Sequence, residues 1–199
     1  HEHSDHAHGA FRFARRHGLA VWLTHGTHAA LQSRATPAQV HFVDSHAAFG
    51  IGDIHITPYP VPHDAREPVQ YVFSDGARRL GVLTDAGRAT PHMVTMLQGC
   101  AALVLECNHD PEMLRSGPYP YPLKRRVAGD FGHLSNEAAA ELLEKVRHAR
   151  LQHVVAAHIS RHNNLPALAA KALSAVLGCN EEWIGIAGQD DGLDWRQIA

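Results

Sequence analysis

The first six residues of the chain read H-x-H-x-D-H, as His1-Glu2-His3-Ser4-Asp5-His6. Alternate residues of an extended segment project to one side, so His1 and His3 can bind one cation together. Asp5 and His6 follow at the start of a predicted helix and can reach a second cation. Imidazole nitrogens with a carboxylate suit Zn²⁺, Mn²⁺ or Fe²⁺, and a paired site suits hydrolysis of an ester or phosphodiester. A histidine tag would lack the acid at a defined position, so the stretch predicts a metal centre.

The composition is that of a globular domain with one anomaly. The 199 residues are 45% hydrophobic and 19% charged, which predicts one domain with a sizeable core. The 18 histidines are the anomaly, and only a few of them can share one site. The net charge of −2 provides no global attraction to nucleic acid or to an anionic membrane. Any nucleic-acid binding must therefore depend on a local basic patch.

Membrane proteins and disulfide-rich secreted proteins are disfavoured as classes. No apolar run approaches the length of a membrane span, and no signal-peptide pattern is visible. Cys100, Cys107 and Cys179 are too few and too far apart for a disulfide framework or a cysteine metal site. A reduced, cytoplasmic setting is therefore predicted.

The first half of the chain predicts one helix followed by several strands. Apolar residues at helical spacing predict a helix over residues 5–17, which Gly18 ends. A helical turn is predicted at residues 29–33. Short apolar runs between turn residues predict strands at residues 19–24, 39–44, 54–61, 70–74 and 80–84. Successive strands with short turns indicate one antiparallel-rich sheet.

The second half alternates helices with buried strands. Helices are predicted at residues 91–97, after the N-cap Ser135, and between Asn164 and Gly178. Strands are predicted at residues 101–105 and 153–158. The tail from residue 183 to residue 198 receives no assignment. No repeat or linker is visible, so residues 1–199 are predicted to form a single domain.

A two-metal centre needs further ligands, and three residues stand where predicted strands end. His63 follows an apolar strand, Asp85 lies where a buried strand meets a glycine turn, and His158 ends another buried strand. Functional residues collect where strands run out into loops. Each residue taken singly is more often a structural turn residue, but their order after H-x-H-x-D-H favours ligands.

This order of residues resembles the metallo-β-lactamase superfamily, whose motifs run H-x-H-x-D-H, His, Asp and His. The match spans nearly the whole chain. The resemblance implies an α/β fold, an αββα sandwich with a dinuclear centre at one sheet edge. Carried over by position, it implies that one metal is bound by His1, His3 and His63. It implies that the other is bound by Asp5, His6 and His158, with Asp85 bridging both.

The second half is similar to the YycJ-type (WalJ) branch of that superfamily, whose members are described as DNA exonucleases. The matching stretches are residues 105–110, 117–120, 123–126 and 132–136. Glu106 and His133 also resemble the pair with which tRNase Z-type nucleases protonate the leaving oxygen. Their other interpretations are a strand-end carboxylate and a helix-entry histidine.

One feature departs from the family pattern. The family normally has two or three strands and a short Asp-Gly segment before H-x-H-x-D-H, whereas nothing precedes His1 here. The chain also begins without methionine. An N-terminally incomplete domain that lacks its first strands is therefore predicted. Loss of a residue that supports the metal loop would weaken metal affinity by about tenfold to a hundredfold.

The predicted reaction is phosphodiester hydrolysis with two divalent ions per chain, Zn²⁺ or Mn²⁺, with Fe²⁺ also compatible. The ions would activate a water, and Asp5 would accept a hydrogen bond from it. A protonated His133, polarised by Glu106, would deliver a proton to the departing oxygen. An alkoxide is a poor leaving group, so this reaction needs the acid.

Contacts with nucleic acid, and with DNA in particular, are predicted at the densest basic cluster. The predicted phosphate contacts are Lys124, Arg125 and Arg126, with Arg161 and Asn163 as lesser candidates. Tyr119 or Tyr121 could stack on an unpaired base. The other interpretation of the cluster is a solvated charged turn.

Three alternatives to a nuclease stay open. A small-molecule phosphodiesterase, acting on cyclic or sugar phosphates, should show a closed pocket rather than an open groove beside residues 124–126. A non-catalytic metal-binding or interaction module would keep the ligands without the reaction. Hydrolysis of a β-lactam or thioester would leave Glu106, His133 and the basic cluster without a function. The sequence makes no prediction of the oligomeric state.

Overall fold

The computed structural model describes residues 1–31 and 39–199. Its eight α-helices in the described residues are α1 (Ser4–Ala7), α2 (Ala10–His17), α3 (His25–Ala30), α4 (Pro91–Leu97), α5 (Pro111–Ser116), α6 (Tyr121–Val127), α7 (Asn136–Val146) and α8 (Pro166–Leu177), and Glu181–Trp183 forms a 3-10 helix. The strands are β1 (Val21–Thr24), β2 (Val40–Val43), β3 (Phe49–Ile51), β4 (Ile54–Pro60), β5 (Val69–Ser74), β6 (Arg79–Leu83), β7 (Ala102–Glu106), β8 (His153–Ala157) and β9 (Gly185–Ile186). Within these ranges, no helix is long and apolar enough to cross a membrane.

The strands form two sheets. β1 and β2 make a small parallel sheet, and β3 to β9 make a seven-stranded sheet in sequence order. From β3 to β6 the neighbours are antiparallel and are joined by hairpins such as the turn at Asp75, whose side chain accepts from the backbone N–H groups of Ala77 and Arg78. From β6 to β9 the neighbours are parallel. Parallel strands need crossover connections, and α4, α7 and α8 lie in them.

The parallel half of the sheet sets the position of the site. Leu83 of β6 pairs with Leu105 of β7, and Glu106 pairs with Ala157 of β8. The carboxyl ends of these strands therefore lie at one edge, and the residues that follow them meet there. Leu83, Leu105 and Val154 are fully buried in the core with leucines of α7 and α8. Burial of each such side chain contributes about 1.5–3 kcal/mol, which makes this edge a rigid support.

Several predicted elements agree with the structure. The helix predicted at residues 91–97 is α4, and Ser135 caps α7 by accepting from the N–H of Ala138 at 3.1 Å. α8 starts at Pro166 and ends at Leu177, directly before Gly178, which has a left-handed φ of 65°. These agreements share one reason. Capping side chains, proline and glycine act on the backbone of their own or neighbouring residues, so their effect can be predicted from the local sequence.

Other predictions were wrong. The continuous helix over residues 5–17 is two helices broken before Ala10, where Gly9 costs about 1 kcal/mol in a helix interior. The single antiparallel-rich sheet is two sheets, and half of the larger one is parallel. β3, α5 and α6 were not predicted. The turn predicted at residues 29–33 overlaps the end of α3, and its last two residues lie outside the described ranges.

Candidate metal centre

The candidate ligands of the N-terminal segment lie on either side of the point where α1 begins. The carbonyl of His3 accepts from the backbone N–H groups of His6 and Ala7 at 3.1 and 2.9 Å, so α1 begins directly after His3. The His3 side chain makes no capping bond and lies against two other imidazoles. Its ring centroid is 4.6 Å from that of His1 and 5.0 Å from that of His63.

The tautomer of His63 makes its Nε2 an electron-pair donor. His63 Nδ1 lies 3.0 Å from the carbonyl oxygen of Gly132, which can only accept, so Nδ1 carries the proton. Nε2 is 3.2 Å from His3 Nδ1 and 3.7 Å from Asp85 Oδ1. Burial lowers the pKa of His63, which keeps the imidazole neutral. A neutral imidazole with a free Nε2 is the form that binds a cation.

Asp85 and His158 occupy the carboxyl ends of β6 and β8 in an unusual backbone conformation. Both have φ of 55°, the left-handed region that non-glycine residues rarely adopt. Such a conformation costs on the order of 1–3 kcal/mol and collects at functional sites, where the surroundings maintain it. The carbonyl of His158 accepts from the Asn108 side chain at 3.1 Å, which helps to hold this turn.

The ligand atoms of the predicted residues gather into two adjoining groups. One group contains His1, His3 and His63, and the other contains Asp5, His6, Asp85 and His158. Within each group the ligand atoms lie within 4.8 Å of one another. Asp85 joins the groups, because its Oδ1 is 3.7 Å from the Nε2 atoms of both His63 and His158. That these seven residues bind two ions stays a prediction.

The unpaired polar atoms of the centre fit a divalent cation. His1 Nε2 and Asp85 Oδ2 are buried and have no hydrogen-bond partner among the described residues. Asp85 Oδ2 lies 3.0 Å from His6 Nε2, but the contact lacks hydrogen-bond geometry. An unsatisfied buried polar atom costs about 1–3 kcal/mol, which a bound cation would remove. Nitrogen and carboxylate donors together suit zinc, manganese or iron, so the cluster suggests divalent metal binding.

The charge of Asp85 is set by the histidines around it. Burial would raise the pKa of this carboxyl, but the close contact with His6 and the nearby charge of His158 hold it well below its ordinary value. Asp85 is therefore an anion at neutral pH. A charged carboxylate buried between imidazoles is a strong attraction for a cation.

Glu106 connects two histidines through one carboxylate. Its Oε1 lies 2.8 Å from Nδ1 of His133 and 2.8 Å from Nδ1 of His158, while Oε2 accepts from the N–H groups of Ala86 and Leu134. Burial would raise the pKa of Glu106, but these imidazoles hold it below its ordinary value. Because an ionised carboxylate only accepts, both Nδ1 atoms carry protons, and Nε2 of each ring is left for other partners.

The metal-free protein should lose stability with rising pH because of His158. Burial opposes its charge, but hydrogen bonding to Glu106 and the nearby Asp85 raise its pKa to about 9. A folded-state pKa above the ordinary 6.5 gives stability that is full below pH 6.5 and is lost as the pH rises through 9. We expect the free energy of unfolding in EDTA to fall by roughly 3 kcal/mol over this range.

Urea unfolding of the wild type and of His158→Gln at pH 6 and pH 9 measures this change. The glutamine variant keeps a side chain of similar reach without the titration, so the difference between the two proteins isolates His158. An equal pH dependence in both proteins would contradict the prediction.

The predicted substrate residues divide between two cavities. A cavity of about 410 Å³ beside His133 and His158 is lined by Arg126, Arg161 and Asn163. Lys124 and Arg125 line a different cavity, because at about 100° per residue they lie about 200° and about 100° around the helix from Arg126. Arg126 is paired with Asp64, Arg161 with Asp190, and Asn163 is buried against Ser160.

Asp64 and Asn108 belong to the site but were not singled out in the sequence. Asp64 Oδ1 lies 3.6 Å from His63 Nε2 and 3.8 Å from His3 Nε2. Asp64 and Asn108 both line the cavity beside His133. Burial would raise the pKa of Asp64, but Arg126 holds it below its ordinary value. A carboxylate directly after a predicted ligand histidine was the available signal for Asp64, and for Asn108 the signal was its position in the stretch 105–110 that resembles the WalJ branch.

Comparison with known proteins gives one matching family model, relatives similar in sequence and a protein similar in structure. A family model described as "Beta-lactamase superfamily domain" matches residues 1–159. The chain is 38% identical over 180 residues to exodeoxyribonuclease YycJ of Bacillus anthracis, which covers 89% of this chain and 68% of that relative. It is 32% identical over 191 residues to exodeoxyribonuclease WalJ of Streptococcus pneumoniae, covering 94% of this chain and 71% of that one. The metallo-beta-lactamase fold protein YhfI of Bacillus subtilis matches in structure with a TM-score of 0.72 at 17% identity, covering 98% and 74% of the two chains.

Proposed function

The chain belongs to the beta-lactamase superfamily, whose fold the sequence predicted, and we propose that it is a metal-dependent exonuclease that hydrolyses DNA. Membership of this superfamily and relatives that are named as exodeoxyribonucleases support a metal-dependent hydrolase. The observation that carries the nuclease proposal is the contact of His133 with Glu106 beside Asp85. It supplies a general acid, which a phosphodiester with an alkoxide leaving group requires.

The residues that would hold two cations are the two groups that Asp85 joins. When bound, the cations supply Lewis acidity, which lowers the pKa of a water and offsets charge on the phosphate. We propose zinc or manganese, since the ligands are nitrogen and carboxylate oxygen atoms. The three cysteines are free, which supports a reduced setting, and we propose a cytoplasmic location.

The side chains of this chain perform the proton transfers. The Asp5 carboxylate is 58% exposed and its Oδ2 lies 3.6 Å from His158 Nε2, so it can accept a hydrogen bond from the attacking water. His133 donates a hydrogen bond from its Nδ1–H to Glu106, which orients the ring and leaves Nε2 as the atom that would carry the proton for the leaving group. The protonated Nε2 then delivers that proton to the departing oxygen of the strand. The 3.7 Å contact between His133 Nδ1 and Asp85 Oδ1 supports a role for His133 as the acid next to the proposed metal ligands.

The cavity beside His133 is proposed to hold the nucleotide at the end of the strand. Its volume of about 410 Å³ is in the range of small-ligand pockets, about 300–1,000 Å³. Arg126 and Arg161 supply cations for phosphate, and Tyr119 supplies an aromatic face for a base.

A small-molecule phosphodiesterase is the second candidate function. Only Arg126 of the three clustered cations lines the cavity beside His133, so that cavity has fewer phosphate contacts than the sequence predicted. A cyclic or sugar phosphate would need no more phosphate contacts than this cavity provides. A non-catalytic metal-binding module is the weaker reading, because it leaves the Glu106–His133 contact without a use.

Replacing Arg126 by Ala separates the two candidates. If DNA phosphates contact Arg126, the variant should bind single-stranded DNA more weakly, and the slope of log affinity against log salt should flatten by about 0.7. Turnover of bis(p-nitrophenyl) phosphate should fall much less, since this substrate ends near the acid. Binding and digestion of end-labelled DNA across a salt series, with and without a chelator, give the measurements.

Lys145→Ala is the matched control, because Lys145 is an exposed cation on α7 that lines neither cavity. Parallel losses on DNA and on the small diester would favour the small-molecule enzyme. Wild-type protein with added metal that cuts cyclic or sugar phosphates but no DNA would refute the nuclease.

A further inference from the structure

A second cavity lies on the other side of α6 from the cavity beside His133. Its volume is about 360 Å³, and its walls are mostly apolar. The residues that matter here are His109, Leu114, Tyr121, Lys124, Arg125 and Ala128. Leu123, Arg126 and Val127 of the same helix line the first cavity, so α6 separates the two.

Tyr121 gives this second cavity an exposed aromatic face. Its side chain is 72% exposed, although a large hydrophobic ring is usually covered. The guanidinium carbon of Arg125 lies 6.0 Å from the ring centroid, within the range of a cation–π contact. The cation therefore lies over one face of the ring, and both side chains line an apolar cavity.

The charge around this cavity favours an anionic ligand. Lys124 Nζ donates to the carbonyl oxygen of Arg115 at 2.7 Å, which holds the ammonium at the rim. Arg115 is itself neutralised by Glu112 through two hydrogen bonds. In the described part of the chain, Lys124 and Arg125 make no ion pair, so both cations are available. Burial lowers the pKa of His109 to about 4, so this imidazole in the wall is neutral and can both donate and accept.

We propose that this cavity binds an upstream nucleotide of the DNA strand whose end occupies the first cavity. An apolar cavity with an aromatic face takes the base, and the two free cations take its phosphates. A helix is about 10–12 Å across and stacked nucleotides rise by about 3.4 Å, so the two cavities are separated by about three nucleotides. The proposal rests on the nuclease function and adds a second subsite to it.

The test is the dependence of binding on the length of the DNA. Fluorescein-labelled oligothymidylates of two and six nucleotides are titrated into the protein in EDTA, and binding is followed by fluorescence anisotropy. We expect the six-nucleotide ligand to bind at least tenfold more tightly than the two-nucleotide ligand. Tyr121→Ser should reduce this ratio at least fivefold through the loss of one stacked base.

A second variant separates the cavity from its charges. Ala128 is exposed and lines the cavity, so Ala128→Trp should fill it while Tyr121, Lys124 and Arg125 all remain. This variant should reduce the ratio in the same way as Tyr121→Ser. The double variant Lys145→Ala, Lys171→Ala removes exposed cations elsewhere and should keep the wild-type ratio. Unchanged thermal unfolding midpoints show that each variant is folded.

Two results would overturn the proposal. One is an undiminished length ratio in folded Tyr121→Ser and Ala128→Trp. The other is thymidine monophosphate binding as tightly as the six-nucleotide ligand and requiring Tyr121, which would make the cavity a site for free nucleotides. A failure of the nuclease function is distinguishable, because the wild type with metal would then digest no DNA. Digestion of DNA with an unaltered length ratio in the variants would remove this inference alone.

Discussion

Replacing Asp85 by Asn is expected to lower turnover on DNA by about a thousandfold or more and to reduce the bound metal. Asp85 is 1% exposed and approaches the ring nitrogens of His6, His63 and His158 at 3.0, 3.7 and 3.7 Å. Asparagine has the same size but no charge, and metal ions contribute several kcal/mol to transition-state stabilisation, with each tenfold in rate worth about 1.4 kcal/mol. Elemental analysis and DNA digestion measure the two effects.

Asparagine is chosen because it should leave the fold at position 85 unchanged, so that the comparison with the wild type reports on the lost charge. Asp85 has a φ of 55°, and asparagine is among the residues that tolerate the left-handed region best. Asp53→Asn, in the exposed turn between β3 and β4, is the matched control and should retain full activity. A folded Asp85→Asn protein with wild-type metal content and activity would show that Asp85 is no ligand.

Replacing His133 by Ala is expected to reduce turnover on DNA by roughly a hundredfold or more, the usual share of general acid catalysis. The loss on a p-nitrophenyl phosphodiester should be much smaller, because p-nitrophenolate leaves without a proton. The metal content should stay at the wild-type level, since His133 is held by Glu106 and is not among the predicted ligands. Steady-state rates on both substrates at matched metal concentration give the comparison.

The contrast between the two substrates is the decisive feature of the His133 variant. Equal losses on DNA and on the activated diester would indicate a structural effect and contradict the role as acid. His92→Ala, an exposed histidine of α4, is the control for the general effect of removing an imidazole. It should change neither rate.

The elements that the sequence predicted well are those with local causes. α4, α7 and α8 carry proline or a side-chain cap in the first turn or a glycine stop, and such residues constrain their own dihedrals or bond to neighbours within a turn. α5 was missed although it carries the same local signals, the Asp110 cap and a proline in its first turn, and α6, which has no side-chain cap, was missed as well. The partner of a strand is a long-range choice, so the parallel half of the sheet was not visible in the strand pattern.

The sequence by itself determined which residues could form a metal centre and in what order. The H-x-H-x-D-H stretch is local, and His63, Asp85 and His158 were candidates because each stands at the end of an apolar run, while their order and the resemblance to the superfamily made them predicted ligands. Strand ends are readable from hydrophobic patterning alone, since an apolar run stops where the chain leaves the core. Whether these residues bind two ions stays a prediction that the Asp85 variant tests.

Only the tertiary structure decided which of these side chains contact one another and which cavity each of them lines. The parallel pairing of β7 with β8 brings Glu106 to His158, and the start of α7 brings His133 to the same carboxylate. The rotation of α6 sends Arg126 to one cavity and Lys124 and Arg125 to another, although the three are consecutive. Contacts between residues far apart in sequence depend on strand order and helix rotation, and neither is encoded in the spacing of a motif.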